Sequence, residues 1–316
     1  MHNHGELPFV FSGPDLDRLA PQRNDAEWLA AQMSDPATRF VPVAGEDNLL
    51  NAHGTPLVLD AQAAEPLRKS AQSTVLLGGY RSQVCFALGL ALDAPLPLGT
   101  VRSNLRPQFG MLEDDALALL GYARAMVHWH ALNHYCGECG APTQSRRSGH
   151  ELHCSRCSNI LYPRVNPAVI VLVTHGERCL LGRQPGWATN RYSTLAGFVE
   201  PGESLEASVR REVQEETNIR VACMHYRASQ PWPYPASLML GFRAEAENTD
   251  IRCNDGELLE ARWFSRADIA RGLREASLTL STPQSISYWL IREWFEEAPG
   301  FSLTELAVRA APSTRA

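Results

Sequence analysis

The sequence predicts a mixed protein of α+β or α/β class with more than one domain, and three observations lead there. Its 316 residues suffice for two domains or one large one. Hydrophobic residues make up 44% and charged residues 20%, enough for a core and too little charge for a disordered chain. Apolar runs of strand character also alternate with segments whose apolar residues recur at helical spacing.

The first region, up to about residue 110, holds short apolar runs broken by Gly and Pro, such as Thr74–Leu77 and Val84–Leu88, and reads as a small mixed α/β domain. From Asp114, residues Ala116, Leu119, Leu120, Ala123, Met126, Val127 and His130 follow an i, i+3, i+4, i+7 rule and predict a helix. Beyond a cysteine cluster, Pro167 opens a strand over Ala168–Val173, His175-Gly176 turns, and a second strand covers Cys179–Gly182. A third apolar run, Tyr192–Val199, ends at Pro201-Gly202, and a helix follows with Ser204 as its N-cap. The last helix is placed at Thr282-Pro283, with Ile286, Trp289, Leu290 and Trp294 on its apolar face, and residues 301–316 read as a flexible tail. The expected division is 1–134, 135–163, 164–300 and 301–316.

Composition excludes several classes. Acids exceed bases by 35 to 29, a net charge of −6, which disfavours a basic nucleic-acid binder over the whole chain. No run of ~18 apolar residues is present to span a bilayer. Met1-His2-Asn3-His4-Gly5-Glu6 has no signal-peptide pattern, and Ser313-Thr314-Arg315-Ala316 is not a peroxisomal address. The expectation is a cytoplasmic protein. In that compartment Cys85, Cys179, Cys223 and Cys253 read as small buried hydrophobes.

The other four cysteines are different. Cys136-x2-Cys139 and Cys154-x2-Cys157 are two knuckles 14 residues apart, and two such knuckles complete a tetrahedral four-sulfur zinc site, closed and therefore structural. Gly137 and Gly140 supply the first knuckle's backbone freedom. Four arginines against two glutamates between Cys136 and Arg164 are offset by the thiolates, so the ribbon carries no strong electrostatic footprint for nucleic acid. It reads as a staple between domains.

The segment from Gly197 to Ile219 carries the chemistry. At about 100° per residue, Leu205, Val209 and Val213 form an apolar stripe. Glu212 and Glu216 fall on or beside that stripe and Glu215 at its edge, whereas Arg210 and Gln214 face outward. Carboxylates at i and i+4 repel, and against an apolar surface bare anions cost far more. Divalent cations among them reverse the sign. Hard oxygen ligands favour Mg²⁺ or Mn²⁺, ions that arrive with substrate phosphates, and several carboxylates imply two or more ions. Glu203 and Arg211 are placed to pair with each other or with the metal carboxylates, fixing the loop before the helix.

These residues resemble the Nudix box, Gly-x5-Glu-x7-Arg-Glu-U-x-Glu-Glu-x-Gly-U with U a bulky aliphatic, through Gly197, Glu203, Arg211, Glu212, Val213, Glu215, Glu216 and Ile219. Asn218 replaces the second Gly. A helix end needs the left-handed conformation there, and Asn is the next-best residue for it. Downstream, Ser229-Gln230-Pro231-Trp232-Pro233-Tyr234-Pro235-Ala236-Ser237 resembles the signature of the NADH pyrophosphatase subfamily, with Tyr234 for Phe. Its alternating prolines predict an extended backbone that presents Trp232 and Tyr234, either to stack a base or nicotinamide ring or as a rigid connector between strands. Trp129-His130, the four cysteines, Tyr162-Pro163 and Leu195–Glu200 fit the same subfamily.

The resemblance implies a Nudix α/β/α sandwich preceded by a four-cysteine zinc ribbon and an N-terminal mixed α/β domain. It implies hydrolysis of the NAD(H) diphosphate to nicotinamide mononucleotide and AMP, and removal of NAD caps from RNA 5′ ends. Glu212, Glu215, Glu216 and Glu257 would bind metal with the Ala196 carbonyl, with Glu216 or Glu257 as general base and Glu203 and Arg211 completing the catalytic set. Tyr162, Phe198 and Gln230 to Ser237 would hold the dinucleotide, in a homodimer whose site is partly shared. The competing readings are a Nudix hydrolase of another nucleoside diphosphate such as ADP-ribose, and a zinc-ribbon RNA-binding or regulatory protein.

Overall fold

A computed structural model describes residues 9–11, 16–253 and 256–310, with no side-chain description for 307–310. The chain forms two compact units. The first holds Val10–Val165 and Pro231–Ala236; the second holds Phe9, Asn166–Gln230 and the residues from Ser237 onward. No helix among the described residues is long and apolar enough to cross a membrane.

In the first unit, six strands pair in the order Leu16–Asp17, Ser73–Tyr80, Gln83–Leu90, Arg39–Ala44, Asp47–Leu50, Val101–Ser103. Alternation along the strands feeds two cores, because successive strand residues face opposite sides. Val75, Leu77, Cys85 and Ala87 pack with Leu117, Leu120, Ala123 and Val127 of the helix Asp114–Leu132. Leu76, Phe86 and Leu88 pack on the other face with the helices Ala26–Ser34 and Ala61–Ser70. The helix expected from Asp114 is present, and its burial goes beyond the expected stripe to include Leu117, Ala118, Gly121 and Arg124.

The ribbon, three strands at Thr143–Arg146, Glu151–Cys154 and Ile160–Leu161, is seated on this unit. His150 Nε2 lies 2.8 Å from the Leu76 carbonyl, His130 Nε2 lies 2.8 Å from that of Gly149, and Ser148 Oγ donates to Arg23 O. A side chain on Gly149, at φ +91, would meet Val75 at 2.7 Å.

In the second unit the sheet order is Val221–Trp232, Ser237–Ala246, Asn166–His175, Arg178–Arg183, Glu260–Ser265, and Leu195–Phe198 also pairs with Asn166–His175. Val169, Val171 and Val173 face the helix Leu205–Thr217, while Ile170 and Leu172 face the opposite core with Ile291, Trp294 and Phe295 of the helix Ile286–Glu296. This is the expected α/β/α sandwich. Asn166–His175 and Arg178–Arg183 form a hairpin with Gly176 at φ +57, where the sequence placed a turn.

Four expectations are corrected. The helix expected at Thr282-Pro283 begins instead at Ile286: Ser285 is the N-cap, accepting from Tyr288 N at 3.2 Å, and Thr282 O accepts from Ser285 N in a preceding turn. The expected tail contains a helix, Leu303–Ala310, anchored by Leu303 in the core of its unit. Cys223 and Cys253 are exposed rather than buried, Cys223 on the sheet's edge strand. Finally, Pro233–Ala236 is not extended but a turn joining the strands Val221–Trp232 and Ser237–Ala246, with Tyr234 N donating to Trp232 O at 2.8 Å.

Candidate active site

The carboxylate helix starts where the sequence placed it. Ser204 Oγ accepts from Ala207 N at 3.2 Å, satisfying an amide the first turn leaves open. It ends at Asn218 with φ 63 and ψ 13, the left-handed conformation that explains Asn in the Gly position. Val209 and Val213 are fully buried, Arg210 and Gln214 are exposed, and Glu212 and Glu216 are only 8% and 2% exposed. Two acids thus stand on the buried side of the helix. Glu215 is exposed at its edge.

Arg211 organises the rest. Its Nε and Nη2 donate to the two oxygens of Glu203 at 2.6 and 2.9 Å, Nη1 to Glu212 at 2.9 Å and Glu215 at 3.0 Å, and Nη2 to the Phe198 carbonyl at 2.9 Å. This guanidinium holds the Glu203 carboxyl down at about 2. Glu203 also accepts from Glu200 N at 3.0 Å, which closes the Pro201-Gly202 turn onto the helix. Glu212 behaves oppositely: burial raises its pKa, and the charges of Glu215 and Glu257 add to the rise.

Gly197, in the strand Leu195–Phe198, lies over Glu212. A Cβ there would sit 1.9–2.1 Å from the Glu212 carboxyl atoms, so only glycine leaves the carboxylate its place. Ala196, beside it, is half-buried.

A hard divalent cation fits this donor set. Three carboxylates share a single guanidinium before the buried Glu216 is counted, all donors are oxygens, and burial makes the Glu212 anion costly without added positive charge. The carboxylates are not drawn together as the thiols are. Among the described residues only Cys136, Cys139, Cys154 and Cys157 form a group of three or more whose metal-ligand atoms all lie within 4.8 Å of one another.

Those thiols fit structural zinc: four sulfurs, no open position, no disulfide. Asn159 Nδ2 donates to Cys136 Sγ at 3.4 Å and holds that thiol down at about 6, and the amide of Ala141 lowers Cys139. Gly140 takes the left-handed conformation at φ +70, whereas Gly137 does not.

The expected dinucleotide residues divide. Tyr162 and Phe198 are exposed, at 54% and 57%. Gln230 is fully buried, its Oε1 accepting from Ile286 N and its Nε2 donating to Gln284 O, both at 2.8 Å, so its amide starts the helix Ile286–Glu296. Trp232 and Tyr234 are half-buried edge-to-face, 5.4 Å apart, against Phe11 and Phe109 of the first unit. Pro233 and Ser237 are buried, Ala236 is half-buried, and Pro231 and Pro235 are exposed. Sequence reasoning missed Asn159 and the helix-starting role of Gln230, since neither local spacing nor composition marks an amide's distant partner.

Buried acids in an α/β/α sandwich, in a chain that also carries a four-thiol ribbon, mark a hydrolase of the Nudix class. Comparison with known proteins gives the branch. A NUDIX domain model covers residues 164–281, a zinc ribbon model of NADH pyrophosphatases 131–162, and a model of their rudimentary NUDIX-like domain 37–129. The chain is 40% identical over 221 residues to the NAD-capped RNA hydrolase NudC of Stutzerimonas stutzeri, covering 66% of this chain and 80% of that one. It is 37% identical to NudC of Pseudomonas syringae, covering 86% and 95%, and 31% identical to NUDT12 of Macaca fascicularis, covering 93% and 75%. The chain belongs to the Nudix superfamily, in the subfamily of NADH pyrophosphatases and NAD-capped RNA hydrolases.

Proposed function

We propose that this chain hydrolyses the diphosphate of NAD(H), free or as the 5′ cap of RNA, releasing nicotinamide mononucleotide. The carrying observation is the pair of buried acids, Glu212 and Glu216, on the apolar side of the Leu205–Thr217 helix.

Glu212, Glu215, Glu216 and Glu257, with the Ala196 carbonyl, would hold Mg²⁺ or Mn²⁺, two or more ions per site, which when bound would neutralise the diphosphate oxygens and lower the pKa of a water. Arg211 and Glu203 fix the Glu200–Glu203 turn against the helix, so the carboxylates are positioned before substrate arrives. Glu216 or Glu257 accepts the proton of the attacking water, the mononucleotide leaves in line, and no covalent intermediate on the protein is needed. Tyr162 and Phe198 offer exposed rings to stack the bases, and the Pro231–Ser237 segment lines the dinucleotide. One zinc per subunit holds the ribbon. The enzyme works as a homodimer in the cytoplasm, whose reducing poise suits eight cysteines without a disulfide.

Purified protein with Mn²⁺ and NADH is expected to yield reduced nicotinamide mononucleotide and AMP by liquid chromatography. NAD-capped RNA is expected to yield nicotinamide mononucleotide and 5′-monophosphorylated RNA. Intact NADH after prolonged incubation with Mn²⁺ or Mg²⁺ would overturn the proposal.

A further inference from the structure

The buried side of the helix Asp114–Leu132 carries an arginine, Arg124, that is 4% exposed. A guanidinium removed from water is costly unless its donors are met, and here they are. Nε donates to the Glu46 carbonyl at 2.8 Å, Nη2 to the Glu46 carboxylate at 2.9 Å, and Nη1 to the carbonyl of Pro233. One side chain therefore ties together the Gly45-Glu46 turn of the first sheet, the long helix and the turn in the proline-aromatic segment.

The surroundings are shaped for that turn. One helical turn before Arg124 lies Gly121, where a Cβ would meet Phe11 at 2.7 Å and Pro233 at 3.1 Å. The Arg124 guanidinium lies 5.0 Å from the Tyr234 ring centre and that of Arg106 4.6 Å, so the ring is flanked by two cations. His128 Nδ1 stands 3.5 Å from the second Glu46 oxygen. The Tyr234 hydroxyl is buried and forms no hydrogen bond of normal geometry, and burial pushes its pKa up to about 12. The ring is thus held by packing and flanked by cations.

We infer that Arg124, seated by Glu46, is a positioning residue for substrate recognition: the N-terminal unit holds the Pro231–Ala236 turn in the shape that grips the dinucleotide. The inference rests on the proposed reading of that turn as substrate-binding. It assigns the N-terminal unit a part in specificity, exercised through one buried guanidinium on a backbone carbonyl. A charge-assisted bond of this kind is stronger than a neutral one, and its loss leaves a buried carbonyl unsatisfied.

Steady-state kinetics on NADH with Mn²⁺, for the full chain and for Arg124→Met, Arg124→Lys and Glu46→Gln, test it, with zinc content and thermal midpoint measured on each preparation. Arg124→Met is expected to raise KM roughly tenfold with kcat within about twofold of wild type. Arg124→Lys, which keeps one donor for Pro233, is expected to recover part of that loss. A purely structural role lowers the folded fraction, so kcat falls with KM unchanged, and that result overturns the inference. Should Arg124→Met not fold, Glu46→Gln carries the test. It leaves both carbonyl bonds and is expected to raise KM roughly threefold, and an unchanged KM overturns the inference. Wild-type protein inert toward NADH would instead sink the proposed function, whereas active wild type with variants of normal KM sinks only the role of Arg124.

Discussion

The two sheets of this protein are built alike and equipped differently. Each has six strands, each alternates its apolar residues into cores on both faces, and each covers both faces with helices. On the first sheet, the helix Ala61–Ser70 carries a single acid, Glu65, half-buried and spent on surface pairs with Arg68 and Lys69. On the second, the helix Leu205–Thr217 carries four glutamates, two of them buried. The shared scaffold solves a packing problem and says nothing of chemistry. Function resides in the acids that packing alone would reject.

Zinc removal gives the largest contrast between the units. Cys154→Ser is expected to abolish stoichiometric zinc by atomic absorption and to lower the thermal midpoint by roughly 10 °C or more, because the four-sulfur site replaces a core the ribbon lacks. A zinc-free variant with wild-type stability would contradict it. Next is Glu216→Gln, expected to cost on the order of 10²–10⁴ in kcat with the fold intact by circular dichroism. Retention of turnover would detach catalysis from the helix. Gly197→Ala is expected to lower kcat by about 10- to 100-fold, since the new methyl displaces the Glu212 carboxylate by an ångström or more.

The pairing of Glu203 with Arg211 is read through pH. Its carboxyl is held at about 2 in the folded protein against an ordinary 4.5, so the pair's stabilisation is complete above pH 4.5 and lost as pH falls toward 2. The stability difference between wild type and Glu203→Gln is therefore expected to shrink across that window in denaturant titrations. A difference that is flat or that grows on acidification would refute the pairing. The smallest effect closes the comparison. Glu65→Gln on the first sheet is expected to change stability by less than about 0.5 kcal/mol and turnover not at all, as for a surface helix pair.

The carboxylate helix was fully legible in the sequence because its meaning is periodic. Placing Glu212 and Glu216 beside Val209 and Val213 needs only 3.6 residues per turn, and the structure buries all four. The ribbon was legible from spacing, and the Asn218 helix end from the rarity of left-handed residues. The proline-aromatic segment was not. Alternating prolines suggest an extended run, yet Pro233–Ala236 turns back, because the partners that fix it, Phe11, Phe109 and Arg124, lie more than a hundred residues away. The helix Ile286–Glu296 was placed three residues early, because Thr282-Pro283 and Ser285 both resemble a helix start and only the amide of Tyr288 decides between them.

The path of the chain has a practical outcome. It leaves the second unit at Gln230, spends six residues in the first, and returns at Ser237. No single cut therefore divides the protein into its two halves. A truncation beginning at Asn166 would carry the tip of a hairpin stripped of its aromatic and cationic neighbours, and would make a poor stand-in for the enzyme in any assay of substrate choice.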